Sequence, residues 1–227
     1  MEETGIELKG QPAIDIITKT KKGASLIYRK LIDECTIDSK GKSKWASVTD
    51  ISNEDWHNAF SFLKWTTKDT KLRWLQYRIL HSILTTNRSV SKFKENQSDL
   101  CSFCNRDSET IIHLFYECTV VENFWKDLSF LLNKRCKHAN NFKINKDKRL
   151  ILFGQSDNVY TDNICDVIIL MAKFYIYRCK VNGTSLILKN FIHELYNRYC
   201  IEKEVKKNDQ QFFNKWYPYT DIFKSLL

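Results

Sequence analysis

The chain has 227 residues, 43% of them hydrophobic and 13% aromatic, so it can bury a sizeable core and is not a disordered polymer. Its net charge is +9, a basic balance typical of proteins that bind polyanions. No apolar run reaches about 18 residues, and the first twenty residues lack a signal-peptide core, so neither a membrane span nor secretion is expected. Eight cysteines without a secretion signal indicate a reducing, intracellular setting, in the nucleus or cytoplasm or both.

The positive charge is concentrated in two segments. Residues 64–98 carry 8 basic and 2 acidic groups, and residues 134–149 carry 7 basic and 1 acidic, so each segment is net +6. Between them, residues 99–133 carry 2 basic and 6 acidic groups, a net −4. Contacts with phosphates are therefore expected mainly from the two flanks. The structural alternative is that each charge run is only a solvated face.

The first 50 residues are weakly patterned, with one predicted helix at about 24–35 and a flexible linker at 37–44. A clearer helix begins at Ser52, which stands three residues before Asp55 in the pattern of a capping box. Its apolar positions follow at helical spacing: Trp56, Phe60 and Leu63.

A second helix is predicted over about 68–84, with Thr67 as its cap. Its apolar stripe consists of Leu72, Leu75, Ile79 and Ile83. Basic and aromatic residues are interleaved with this stripe: Lys68, Lys71, Arg73, Trp74, Tyr77 and Arg78. That mixture suits a surface that contacts phosphates and stacks on bases. The alternative is an ordinary amphipathic helix with a solvated basic face and a buried tryptophan.

The strongest motif in the chain is Cys-x2-Cys-x8-His-x4-Cys, formed by Cys101, Cys104, His113 and Cys118. Three thiolates and one imidazole are the ligand set of a closed tetrahedral zinc site. Because no position is left for water, the expected role of one Zn²⁺ here is structural. The alternatives are buried free thiols or a redox-active cysteine pair.

The spacing also predicts a break in the backbone. His113 and Cys118 would lie roughly 140° apart on an unbroken helix, so both cannot reach one ion from it. We therefore expect the helix carrying His113 to end or distort before Cys118, or Cys118 to begin the next segment. Phe103, between the paired cysteines, could stack on an unpaired base, although packing against Phe115 or the next helix is the favoured expectation.

The second half of the chain predicts further helices. After Cys118, an amphipathic helix has its stripe at Val121, Phe124, Trp125, Leu128 and Leu132. Residues 134–149 are predicted to form a basic loop whose candidate nucleic-acid contacts are Lys134, Arg135 and Lys137. Helices at about 162–181 and 185–207 and a packed aromatic tail follow.

The predicted fold is therefore mainly α, a small helical assembly pinned by a Cys-Cys-His-Cys zinc knuckle. Four regions are expected: an N-terminal segment (1–50), a helical region with the knuckle at 101–118 (51–133), the basic loop (134–149) and a C-terminal helical region (150–227). The chain has no Gly-rich phosphate loop and no recognisable hydrolase or metalloprotease motif, so no catalytic residue is assigned.

The order of these segments over about 50–216, with the metal motif followed by Phe124-Trp125, resembles the carboxy-terminal region of LINE-type (non-LTR) retrotransposon reverse transcriptases. The resemblance implies a non-catalytic accessory region that binds RNA, DNA or both during target-primed reverse transcription. No paired-Asp polymerase motif or endonuclease domain is recognisable, so the chain is expected to be a fragment or tail without polymerase activity. The alternative function is a zinc-stabilised helical scaffold or protein-interaction module.

Overall fold

The fold is described from a computed structural model, over residues 40–49, 52–135, 148–154, 163–206 and 209–225. The helices of these residues, numbered in chain order, are α1 (Lys40–Ala46), α2 (Asn53–Thr66), α3 (Thr70–Leu80), α4 (Asn87–Val90), α5 (Thr119–Arg135), α6 (Lys148–Phe153), α7 (Asn163–Asn182), α8 (Leu188–Val205) and α9 (Gln210–Trp216). A π-helical turn (His113–Glu117) precedes α5, and a 3-10 helix (Tyr217–Ser225) follows α9. The described residues form no β-strand, and their β-type pairing is limited to an isolated antiparallel bridge between Leu100 and Ser108.

The prediction of a flexible linker at 37–44 is wrong for residues 40–44, because these residues belong to α1. Gly41 lies so close to the end of α3 that an added Cβ would stand 2.6 Å from the Leu80 carbonyl oxygen. The Trp45 indole then donates to the carbonyls of Ile79 and Leu80 at 3.1 and 3.0 Å. A sequence rich in lysine and glycine thus becomes ordered through tertiary contacts that local propensity does not predict.

The capping box predicted at the start of α2 is confirmed. The Ser52 side chain accepts from the Asp55 backbone N–H at 3.1 Å, and the Asp55 carboxylate accepts from the Ser52 N–H at 3.1 Å. Trp56 is buried and meets Phe153 of α6 edge-on, so α2 packs its aromatic face on the core.

The helix predicted at 68–84 is shorter in the structure, where α3 runs from Thr70 to Leu80. Its cap is Asp69 rather than Thr67, since the Asp69 carboxylate accepts from two backbone N–H groups of the first turn. Ile83 therefore lies beyond the helix and is 53% exposed, although Leu72, Leu75 and Ile79 are buried as predicted.

The stripe predicted for the helix after Cys118 is confirmed, because all five of its apolar residues are buried along α5. The helix predicted at about 162–181 is α7, which ends at Asn182, where Gly183 follows with a φ of +63°. On α8, the buried residues are Phe191, Ile192 and Leu195. The aromatic tail packs back through Trp216, Tyr219 and Phe223.

The prediction of a mainly α fold is confirmed. One hydrophobic core runs from Trp45 through the metal-motif cysteines to Phe223, so elements from all parts of the described chain contribute to it. Over those residues, no helix combines the length and apolar character that crossing a membrane requires. The helix predicted at 24–35 and positions 136–147 of the basic loop lie outside the described residues.

Candidate metal centre

The four residues of the metal motif converge on one point. Their ligand atoms, three sulfurs and one imidazole nitrogen, all lie within 4.8 Å of one another. The Sγ atoms of Cys101 and Cys118 are 3.7 Å apart, and the Cys104 Sγ is 3.3 Å from His113 Nε2. Cys101, His113 and Cys118 are buried and Cys104 is half-buried, so the cluster stands at the edge of the core.

These distances fit a tetrahedral zinc ion. With Zn–S bonds of about 2.3 Å, tetrahedral geometry places two sulfurs about 3.8 Å apart. A disulfide would instead need about 2.05 Å between the sulfurs, so the separation of Cys101 and Cys118 matches shared coordination and not a covalent bond. The motif residues can therefore hold a zinc ion, and all four positions of a tetrahedron are filled by protein.

The backbone around the paired cysteines forms a tight turn. Cys101 N–H donates to the Asp107 carbonyl at 2.8 Å, and Asn105 N–H donates back to the Cys101 carbonyl at 3.0 Å. The Phe103 N–H points at the Cys101 sulfur, 3.4 Å away. Asn105 completes the turn with a φ of +51°, a conformation that asparagine tolerates better than most residues. A donor aimed at sulfur favours its thiolate form, which is the form that binds metal.

The break expected between His113 and Cys118 is confirmed. Residues 113–117 form a π-helical turn that closes with a bond from Cys118 N–H to the His113 carbonyl at 2.9 Å. Cys118 then adopts an extended conformation with ψ of 124° before α5 starts. The wider turn brings Cys118 to the same side as His113, and the Trp125 indole holds this turn by donating to the Phe115 carbonyl at 2.8 Å.

Glu109 is a residue of this centre that sequence reasoning missed. It is fully buried, and its carboxylate accepts from Asn87 N–H at 2.8 Å, from Ser102 N–H at 2.9 Å and from the Ser102 hydroxyl at 2.8 Å. Lys180 of α7 stands 3.4 Å away as its counter-ion. One carboxylate thus joins the knuckle turn, α4 and α7. Its position in an acidic, polar segment gave no signal of burial.

The two buried sulfurs influence each other's protonation. Donation to Cys118 raises the pKa of the Cys101 thiol, and burial adds to the rise. The same hydrogen bond lowers the pKa of Cys118, against the effect of its own burial. A cation between the sulfurs would replace this proton, since metal ligands must be deprotonated.

The basic and aromatic residues predicted on the helix lie mainly on the solvent side of α3, except that Lys68 precedes the helix. Lys68, Lys71 and Arg73 are exposed, and Trp74 and Tyr77 are 60% and 39% exposed. The Trp74 and Tyr77 rings stack with centroids 5.3 Å apart and planes 6° from parallel. The alternative of an amphipathic helix with a buried tryptophan is therefore wrong for Trp74. Arg78 is half-buried and donates to the Thr85 hydroxyl at 2.8 Å.

No described contact brings the remaining candidate nucleic-acid-binding residues to the solvent side of α3. Phe103 is partly buried and packs against the core, in line with the favoured expectation for its ring. Lys134 lies over Phe130 of α5, 5.5 Å from the ring centroid. Lys137 and the side chain of Arg135 lie outside the described residues.

Comparison with known proteins agrees with the metal assignment. Residues 40–125 match the sequence pattern of a protein family described as zinc-binding in reverse transcriptase. The match starts with α1 and ends at Trp125, so it includes α3, the knuckle and the first turns of α5. No curated protein sequence matches the chain.

Proposed function

We propose that this chain is a non-catalytic accessory region of a LINE-type reverse transcriptase, which holds one structural zinc ion and binds nucleic acid. The observation that carries the proposal is the stacked Trp74–Tyr77 pair, exposed beside cationic side chains within the segment that matches a reverse-transcriptase zinc-binding family.

The zinc ion would be held by Cys101, Cys104, His113 and Cys118 and would supply no open coordination position. Its contribution is to fold the knuckle turn and the π-helical turn onto the core, because both carry ligands. The ion therefore positions neighbouring surfaces and does not activate water.

The solvent face of α3 would contact the nucleic acid. Lys71, Trp74 and Arg78 follow one another at helical spacing of three and four residues, so they line one side of the helix. The opposite side of the helix is buried, and it includes Leu72, Leu75 and Gln76. An indole left 60% exposed next to cations offers a stacking platform and phosphate contacts at once.

The test is binding of the zinc-loaded protein to structured RNA, single strands and duplex DNA over a series of salt concentrations. Trp74→Ala/Tyr77→Ala should lower affinity by about tenfold or more, since stacking on aromatic side chains dominates sequence-tolerant binding. Tyr217→Ala is the matched control, because Tyr217 is also exposed (76%) but lies on the C-terminal 3-10 helix.

A second pair of variants tests the phosphate contacts. Lys71→Ala should flatten the salt dependence by about one unit of slope, and Lys189→Ala, an exposed lysine of α8, should leave it unchanged. Arg78→Ala should act in the same direction but also cost some stability, because Arg78 is anchored to Thr85. Wild-type protein that binds none of the three nucleic acids would refute the proposed function.

The scaffold alternative has one observation in its favour. The knuckle is fused to the main core through Cys101, Phe115 and Cys118, so zinc can serve helix packing alone. Under that alternative, the Trp74/Tyr77 variant would lose a protein partner and keep its weak, charge-driven affinity for nucleic acid.

A further inference from the structure

An open groove lies between the end of α3 and the segment that contains α4. Its volume is roughly 410 Å³, and its walls include Ile83, Leu84, Thr85, Val90, Phe93 and Lys94. Small-molecule sites occupy about 300–1,000 Å³, so this space admits a single planar group and not a duplex. We refer to it as the Phe93 groove.

The groove exposes more apolar surface than a solvated loop requires. Phe93 is 89% exposed and Ile83 is 53% exposed, while Leu84 at the base is buried. An aromatic ring held almost entirely in water at the mouth of an apolar groove is suited to stack on a planar ligand.

The charge around the groove identifies the class of ligand. Residues 82–94 contain Arg88, Lys92 and Lys94 and no acidic residue, and all three cations are exposed. Arg78 reaches the groove from α3, since its guanidinium donates to the wall residue Thr85 at 2.8 Å. The complementary ligand combines a planar apolar ring with negative charge, which is the chemistry of a nucleotide.

The groove is also tied to the metal centre. Asn87, the first residue of α4, donates its side-chain amide to the Leu100 carbonyl at 2.7 Å and to the Ser102 hydroxyl at 3.0 Å. Its backbone N–H donates to the buried carboxylate of Glu109. The wall that carries Val90 and Phe93 is therefore anchored to the knuckle turn that supplies Cys101 and Cys104.

We infer that the Phe93 groove is a subsite for one unpaired nucleotide of a single strand. The base stacks on Phe93 over Ile83 and Val90, and the flanking phosphates lie near Arg88, Lys92 and Lys94. This inference rests on the proposed function, to which it adds a substrate class: unpaired bases beside the stretch of strand that α3 contacts. A zinc ion bound at the knuckle would act on this subsite indirectly, through Asn87 and the knuckle turn.

The experiment measures Kd for an oligothymidine single strand and for a blunt duplex of equal length with zinc-loaded wild type, Phe93→Ala, Phe93→Trp and Tyr217→Ala. Because Phe93 is almost fully exposed, its replacement should leave the melting temperature unchanged. We expect Phe93→Ala to weaken single-strand binding by about tenfold, Phe93→Trp to retain it, and duplex binding to change less than twofold. The Tyr217→Ala control should match wild type for both ligands.

The outcomes separate this inference from the proposed function. Wild-type binding that persists unchanged in Phe93→Ala would overturn the groove assignment and leave the α3 surface standing. An equal loss for single strand and duplex would also overturn it, because the groove would not distinguish unpaired bases. If poly-glutamate competes for the groove as strongly as the oligonucleotide does, the groove would instead be assigned to an acidic protein segment. Absence of any nucleic-acid binding by wild type would refute both proposals.

Discussion

Lys173 is a basic residue that lies inside the hydrophobic core. It lies in the middle of α7 with no exposed surface, and its ammonium donates to the Gln76 side chain of α3. Gln76 in turn donates to the Leu152 carbonyl at 2.8 Å, so one polar chain links α7, α3 and α6 through the core. Burial lowers the pKa of Lys173 to about 7, although the nearby Asp166 carboxylate opposes this shift.

This residue should make stability depend on pH. In the unfolded chain a lysine titrates near 10.4, so between about pH 7 and 10 the unfolded state binds more protons and stability rises with pH. Lys173→Met should remove that slope. From pH 7 to 9 the free energy of unfolding of wild type should gain on the order of 2 kcal/mol relative to the variant.

Urea unfolding at several pH values measures this difference, and comparison between two variants cancels the groups they have in common. Lys189→Met, a substitution of an exposed lysine, is the control and should follow the wild-type slope. Parallel curves for wild type and Lys173→Met would show that the buried ammonium does not titrate in this range.

At the scale of elements, the joint between the knuckle, α4 and α7 depends on Glu109. Its two carboxylate oxygens accept three hydrogen bonds and face one lysine, so each oxygen is an acceptor that a donor cannot replace. Glu109→Gln would place an amide N–H against existing donors while preserving the size of the side chain.

We expect Glu109→Gln to weaken zinc affinity by about tenfold, as loss of a group supporting a metal site commonly does. Competition with a chromophoric chelator measures the affinity, and Glu117→Gln is the control because Glu117 is exposed and neighbours a ligand. Equal zinc affinities in the two variants would show that Glu109 supports α4 alone and not the metal centre.

Elements with local signals were predictable from sequence, and those that depend on distant contacts were not. The stripe of α5 and the capping box at Ser52 follow from spacing within one helix, and the break before Cys118 follows from helix geometry. In contrast, α1 is ordered by contacts of Gly41 and Trp45 with the end of α3, far along the chain. Asn87 and Lys180 likewise reach Glu109 from far along the chain, so composition marked it as surface charge.

At the scale of the whole molecule, the metal ligands belong to the same core as the C-terminal helices. Cys101 and Cys118 are fully buried within the cluster that also contains Phe191 and Trp216. Removal of zinc would leave thiols and an imidazole in that core without the ion that compensates for their burial. The whole unit, and not only the knuckle, should therefore lose stability.

We expect chelation of zinc, or Cys118→Ser, to lower the melting temperature by about 10 °C, the shift that a few kcal/mol produces in a domain of this size. Because one core is involved, far-UV circular dichroism and tryptophan fluorescence should report the same single transition. Trp125 of α5 is a local probe, since its indole donates to Phe115 of the π-helical turn. Cys200→Ser, outside the metal motif, should retain about one zinc per chain by elemental analysis and melt like wild type. Two separate transitions, with only the lower one sensitive to the chelator, would instead show that the knuckle unfolds alone and that zinc does not stabilise the helices of the C-terminal half.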